Sequence, residues 1–255
     1  MDLIDLSIVG PGFLAGLFVL ATHVPMGREV LRRGIIFIDL AVAQMAGLGV
    51  ITASVLGWDA HGMVAQIAAF SAALAGGLLL TWTERHWENI QEALIGTLFI
   101  LAATGGILLL ANHPKGGDEL KDLLVGQVLW VDHHQLIPAA VVSVIVLTAW
   151  YAFREHIGRI GFYLLFAFSV TVSVQMVGVY LVFASLIIPA LATRNMSRWG
   201  GLIAGYAVGI SGYAIGMILS TLFDLPTGAV IVWALALVAI VVSIIPTKSN
   251  TAQSS

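Results

Sequence analysis

An aspartate stands inside a long apolar stretch, at Asp39 in FIDLAVAQMAG. A carboxylate at mid-membrane costs roughly 2.5–3.5 kcal/mol on insertion scales, so it needs a partner or a purpose. Two readings fit. In one, Asp39 lies near the membrane interface and pairs with Arg32 or Arg33. In the other, it lines a path for a cation. Gln44 follows five positions later, about 140° further round a helix, so the two side chains do not share one narrow face.

Other side chains could do chemistry. His133 and His134 are adjacent and on a helix point about 100° apart, so these two alone make a poor mononuclear site. With Asp132 and His113 they could admit a divalent metal at the outer face, or simply form a wet loop. His23, just before Pro25, and His156, among charged residues, read as structural. Met45 and Met176 read as packing residues, although a thioether can touch a soft ion. Glu92 opens an apolar stretch with Gln91, where the helix dipole favours an acid, so capping is its first reading. Ser173 and Gln175 lie where a long apolar run should break. Broken helices expose carbonyls only around a cavity or inside protein. That makes the pair candidates for a pathway wall, or for helix–helix hydrogen bonds.

The elements that position these residues are membrane spans. Of 255 residues, 59% are hydrophobic and 10% charged, against roughly 25% charged in soluble domains. This excludes a water-soluble enzyme and a disordered chain. A net charge of −3 with no basic block excludes nucleic-acid binding, and the absence of cysteine excludes thiolate metal sites. Stretches of about 20 apolar residues fall near Ile8–Val24, Ile35–Leu56, Met63–Trp82, Ala93–Ala111, Leu136–Phe153, Leu202–Phe223 and Gly228–Ile245. The run Gly161–Ala192 is too long for one upright helix and should divide near Gln175–Gly178.

The expected fold is therefore an all-α polytopic transmembrane bundle of eight or nine segments. It forms one domain over residues 1–246, followed by a polar tail, 247–255, expected to be disordered. A short amphipathic helix near Glu119–Leu129 could lie at the outer interface. The N-terminus MDLIDL lacks the basic start of a signal peptide, so the first span is expected to be retained. Arg28, Arg32, Arg33, Arg154, Arg159, Arg194, Arg198 and Lys248 all follow spans that end on one side. Positive-inside placement then puts the N-terminus outside and the C-terminus inside. No GxxxxGK[ST], GxSxG or HExxH occurs, so any ATP-driven step needs a partner chain.

Four stretches carry a family resemblance: EVLRRGIIFIDLAVAQMAGLGV, QEALIGTLFILAATGGILLL, SVQMVGVYLVFASLIIPALATR and DLPTGAVIV. In this order, over about Arg28 to Val232, the chain resembles the permease subunit of bacterial ABC importers for zinc, manganese or iron, the ABC-3 metal permeases. The resemblance implies that Asp39 faces the translocation path and contacts metal. Many members carry a histidine four residues after that aspartate; here the place is Ala43, and Gln44 beside it could contact the metal through a neutral oxygen, a weaker ligand for zinc than imidazole. Pro189–Arg198 matches the cytoplasmic segment that docks on the ATPase. Pro189 is expected to end a span there, and Arg194 and Arg198 to meet the partner. Asp224, Pro226, Thr227 and Gly228 match a tight outer turn.

The implied partners are an ABC ATPase subunit, a metal-binding extracytoplasmic protein, a second copy of the chain and the bilayer of the bacterial inner membrane. The divalent metal is cargo, and no permanently bound cofactor is implied. The competing reading is a secondary cation carrier or channel. A proton-driven carrier usually holds several acids deep in its helices, whereas Asp39 is the only acid well inside a span here.

Overall fold

The computed structural model describes residues 6–59, 62–114, 116–131, 133–153 and 157–244, with only the backbone described at 6–8, 133 and 134. The segment 247–255 lies outside the described residues, as do Lys115, Asp132, Arg154 and His156. Among the described residues the regular structure is all helical. The helices are α1 (Leu6–Arg33), α2 (Ile38–Val55), α3 (Met63–His86), α4 (Gln91–Leu110), α5 (Gly116–Val125), α6 (His133–Ala152), α7 (Arg159–Val177), α8 (Val179–Ala192), α9 (Arg198–Phe223) and α10 (Thr227–Ile244). Short 3-10 turns occupy Glu88–Ile90 and Val128–Trp130.

Eight of these helices are long and apolar enough to cross a membrane, and α8 is a shorter apolar helix. The long run divides at Gly178, as its length requires, and the chain reverses there. Gly178 has φ +79°, the left-handed region that favours glycine. At 14 residues, α8 rises about 21 Å, less than the roughly 30 Å apolar core. Gly126, at the end of α5, packs its backbone directly on Val177 and Gly178, so the segment after α5 covers the break.

Two proline positions differ from the sequence reading. The first span was placed at Ile8–Val24, yet α1 continues through Pro25 to Arg33, so Arg28, Arg32 and Arg33 occupy its last turns. A proline lacks the N–H that would bond the carbonyl four residues back. Here that carbonyl, Ala21 O, accepts from Tyr206 Oη of α9 at 2.9 Å. A neighbouring helix thus replaces the lost bond, as the apolar surroundings demand. Pro189 likewise does not end α8, which runs on to Ala192. Its own carbonyl accepts from Thr193 N at 3.2 Å and Thr193 Oγ1 at 2.8 Å.

The bundle has two distinct ends. At one, Arg28 of α1 reaches residues 193–197, Arg33 lies 4.3 Å from the Phe162 ring of α7, and Arg159 sits 3.7 Å from Glu84 of α3. We call this the arginine end. At the other, Ser54 of α2 donates to Glu119 of α5, and a Cβ at Gly228 would meet Val125. Helices α2, α3 and α4 pack together and join the rest through α7, while α1, α8, α9 and α10 form the other flank. The seam of α9 is a stripe of glycines. Gly205 and Gly209 receive Val24 and Leu20 of α1, and Gly212 and Gly216 receive Leu235 and Ile231 of α10. Small residues let membrane helices approach this closely. Helix α5 is amphipathic as expected. Asp118, Lys121 and Asp122 are exposed while Leu123 packs on Gly47 of α2.

Candidate functional site

The turn between α1 and α2 sets the position of Asp39. Gly34 takes φ +69°, its N–H bonds Leu31 O at 3.3 Å, and Ile35 N–H bonds Val30 O at 3.3 Å. This is a Schellman end, with Ile35 folded back onto the last turn. The chain reverses within four residues and α2 begins at Ile38, which puts Asp39 in its first turn.

Asp39 is 1% exposed, and neither carboxylate oxygen has a hydrogen-bond partner among the described residues. The pairing with Arg32 or Arg33 does not occur. Both arginines are held by Glu29: Arg32 Nε and Arg33 Nε donate to it at 2.9 and 2.7 Å. The i, i+3 and i, i+4 spacing on one helix face wins over a partner across the turn. A buried carboxylate without a donor is expensive, and a bound cation would offset that cost. Gln44 is also buried, at 4% exposed. Most of the first two turns of α2 are enclosed by the chain itself.

Glu92 does not cap its own helix. Its Oε1 accepts from Phe37 N at 3.2 Å, so it caps α2 from the start of α4, while its Oε2 is buried without a partner. Two carboxyl groups thus meet the first turn of α2, where the helix dipole favours negative charge. Gln91 is structural: it donates to Leu80 O at 2.9 Å and accepts from Thr83 at 3.0 Å.

The segment after α8 is anchored by a residue that the sequence reading did not single out. Arg28 Nη1 donates to the Thr193 carbonyl and hydroxyl, both at 3.0 Å, and Nη2 donates to Met196 O at 3.3 Å and Ser197 O at 3.4 Å. Arg194 and Arg198 are exposed on this turn. Arg194 caps α8 through Leu191 O at 3.0 Å, and Arg198 lies 5.5 Å from the Trp199 ring. The turn therefore presents two exposed arginines while it is bonded inward to α1.

At the opposite end Ser173 is buried and Gln175 is half-buried with Nε2 lacking a partner. Both sit in the last turns of α7, beside the break at Gly178. The side chains of His133 and His134 lie outside the described residues, as does Asp132. His113 is 3.3 Å from Glu119. Among the described residues, no group of three or more His, Asp or Glu side chains could hold a metal.

Among the described residues ten helices, eight of them long and apolar enough to cross a membrane, define a polytopic membrane protein. The chain belongs to the ABC 3 transport family, whose model matches residues 5–160 and 154–246, and it is a membrane permease of that family. It is similar to the Haemophilus influenzae "High-affinity zinc uptake system membrane protein ZnuB", at 23% identity over 89% of this chain and 93% of that one. A second Haemophilus influenzae relative, named "Probable iron transport system membrane protein", is 27% identical over 67% of this chain and 70% of that one. Among solved structures, PsaBC from Streptococcus pneumoniae in complex with Fab matches with a TM-score of 0.77, covering 95% of this chain and 93% of that one at 18% identity. That likeness bears on the fold.

Proposed function

We propose that this permease forms the membrane path of an ATP-driven importer of divalent metal ions, zinc, manganese or iron, and couples to a separate ATPase subunit. The observation that carries the reading is Asp39, an enclosed carboxylate whose two oxygens have no donor. The relatives named for zinc and iron transport support the substrate class. In this reading Asp39 contacts the passing ion, and Gln44 offers a neutral oxygen near it. Ser173 and Gln175 line the wall by the α7–α8 break, and His133 and His134 receive the ion at the outer mouth. A permease has to release its cargo, so a single carboxylate with a weak neutral ligand suits it better than a tight cage.

Pro189, Arg194 and Arg198 belong to the surface that docks the ATPase. The exposure of both arginines on one turn supports this. The arginine end then faces the cytoplasm of a bacterial inner membrane, with the N-terminus outside and the C-terminus inside. A metal-binding extracytoplasmic protein delivers the ion, and a second copy completes the path. Asp39 is covered within one chain, so a site shared between copies forms only when α2 is uncovered.

Co-purification tests the reading. A P-loop ATPase subunit should accompany the tagged permease, and Arg194→Glu with Arg198→Glu should release it. A permease that assembles and transports without any ATPase would instead be a secondary carrier or channel.

A further inference from the structure

Outside the residues placed above, one buried group stands apart. His23 lies at 1% exposure in the middle of α1. It shares a stripe with Val19, Met26 and Val30, each at 1% exposure or less. Its neighbour Thr22 accepts from Ser169 of α7 at 2.7 Å, and Gly27, four residues on, packs against Leu186 of α8. The stripe therefore faces the interior between α7 and α8.

The hydrogen bonds fix the chemical form of the ring. His23 Nδ1 lies 2.9 Å from the Val19 carbonyl, which can only accept, so the proton sits on Nδ1. The same N–H reaches Thr22 Oγ1 at 3.0 Å. Nε2 is then a bare lone pair, and it is buried with no hydrogen-bond partner among the described residues. An imidazole that gives one N–H to a backbone carbonyl and leaves the other nitrogen free is arranged as a metal ligand. A merely structural histidine would be expected to spend both nitrogens when buried.

We propose that His23 is a metal-contacting residue of the path, presenting Nε2 to the cation from α1. The proposal rests on the importer reading above. A route to the buried ring is built into the helix. Pro25 removes the α1 bond to Ala21 O, so the turn holding His23 lacks one rung and relies on Tyr206. Five residues beyond His23, Arg28 ties α1 to the turn at 193–197. In this proposal, movement of that turn is passed to α1 beside the place where Tyr206 stands in for the missing bond, and uncovers His23. Imidazole favours zinc over manganese, which prefers oxygen ligands, so His23 also sets the preference between them.

The test is uptake by proteoliposomes holding the permease with its ATPase subunit, supplied with the metal-binding extracytoplasmic protein, ATP and either zinc or manganese as the one metal. His23→Gln should lower zinc uptake about tenfold or more while manganese falls much less. His23→Cys, whose thiolate binds zinc, should keep more zinc uptake than His23→Gln. An unchanged zinc-to-manganese ratio in His23→Gln would overturn the proposal, as would equal losses of both ions in both variants. If neither variant assembles, a variant that keeps His23 as its only histidine, loaded with zinc, should show imidazole nitrogen in the zinc shell by X-ray absorption. Its absence would overturn the proposal. Wild-type vesicles that move none of zinc, manganese and iron would overturn the importer reading itself.

Discussion

Arg28 and Thr193, 165 positions apart, are joined twice, because Nη1 of the guanidinium donates to both the carbonyl and the hydroxyl of Thr193 at 3.0 Å. Two longer bonds from Nη2 reach Met196 and Ser197. The fork of a guanidinium can hold several carbonyls in one geometry, which an ammonium cannot. Arg28→Lys should therefore loosen the 193–197 turn without removing charge. Hydrogen bonds to charged groups contribute about 1.5–3 kcal/mol, and each kcal/mol lost in a chain of this size lowers Tm by roughly 2–4 °C. Thermal unfolding should show a drop of several degrees. Transport driven by the ATPase should fall further than ATPase association does. Equal Tm and equal transport in Arg28→Lys would remove the clamp.

Asp39→Asn separates function from stability. The carboxylate makes no hydrogen bond, so replacing it with a neutral amide removes a desolvation penalty and no contact. The variant should assemble with a Tm equal to or above that of the wild type, while metal uptake collapses by about tenfold or more, the scale of a lost ligand. A fall in Tm with uptake intact would mean that Asp39 is structural.

The proline in α1 gives a double-mutant cycle. Tyr206→Phe strips the donor from Ala21 O and should cost about 0.6–1.5 kcal/mol, the range for hydrogen bonds between membrane helices. In a Pro25→Ala background the residue at 25 regains an N–H for that carbonyl. Tyr206→Phe should then cost much less, and the coupling is read from the four unfolding midpoints. Additive losses would show that the hydroxyl does not replace the missing bond.

The legible parts of this molecule were local ones. The break at Gly178 follows from a run too long for one crossing, and the amphipathic α5 follows from a 10-residue pattern of Asp, Lys and Leu. Asp39 was visible as a charge in an apolar segment. What stayed hidden depended on partners brought from afar. Pro25 reads as a helix end because the compensating group, a tyrosine 185 positions from the Ala21 carbonyl it serves, is invisible along the chain. Arg33 could have reached forward to Asp39; only the geometry of the Schellman turn shows that it turns back to Glu29 instead. Glu92 read as the cap of its own helix and serves α2, 55 positions earlier. The histidine–proline spacing at His23 and Pro25 was a signal, but without knowing which ring nitrogen was bonded it carried no more weight than a packing residue.

The most direct measurement is metal accumulation in vesicles containing the purified permease and supplied with the metal-binding extracytoplasmic protein, with and without the ATPase subunit and ATP. Accumulation of zinc, manganese or iron should require both the ATPase and ATP, persist when the proton gradient is collapsed, and be lost in Asp39→Asn. Accumulation by the permease alone, driven by an imposed ion gradient, would contradict the importer and make the chain a secondary carrier or channel.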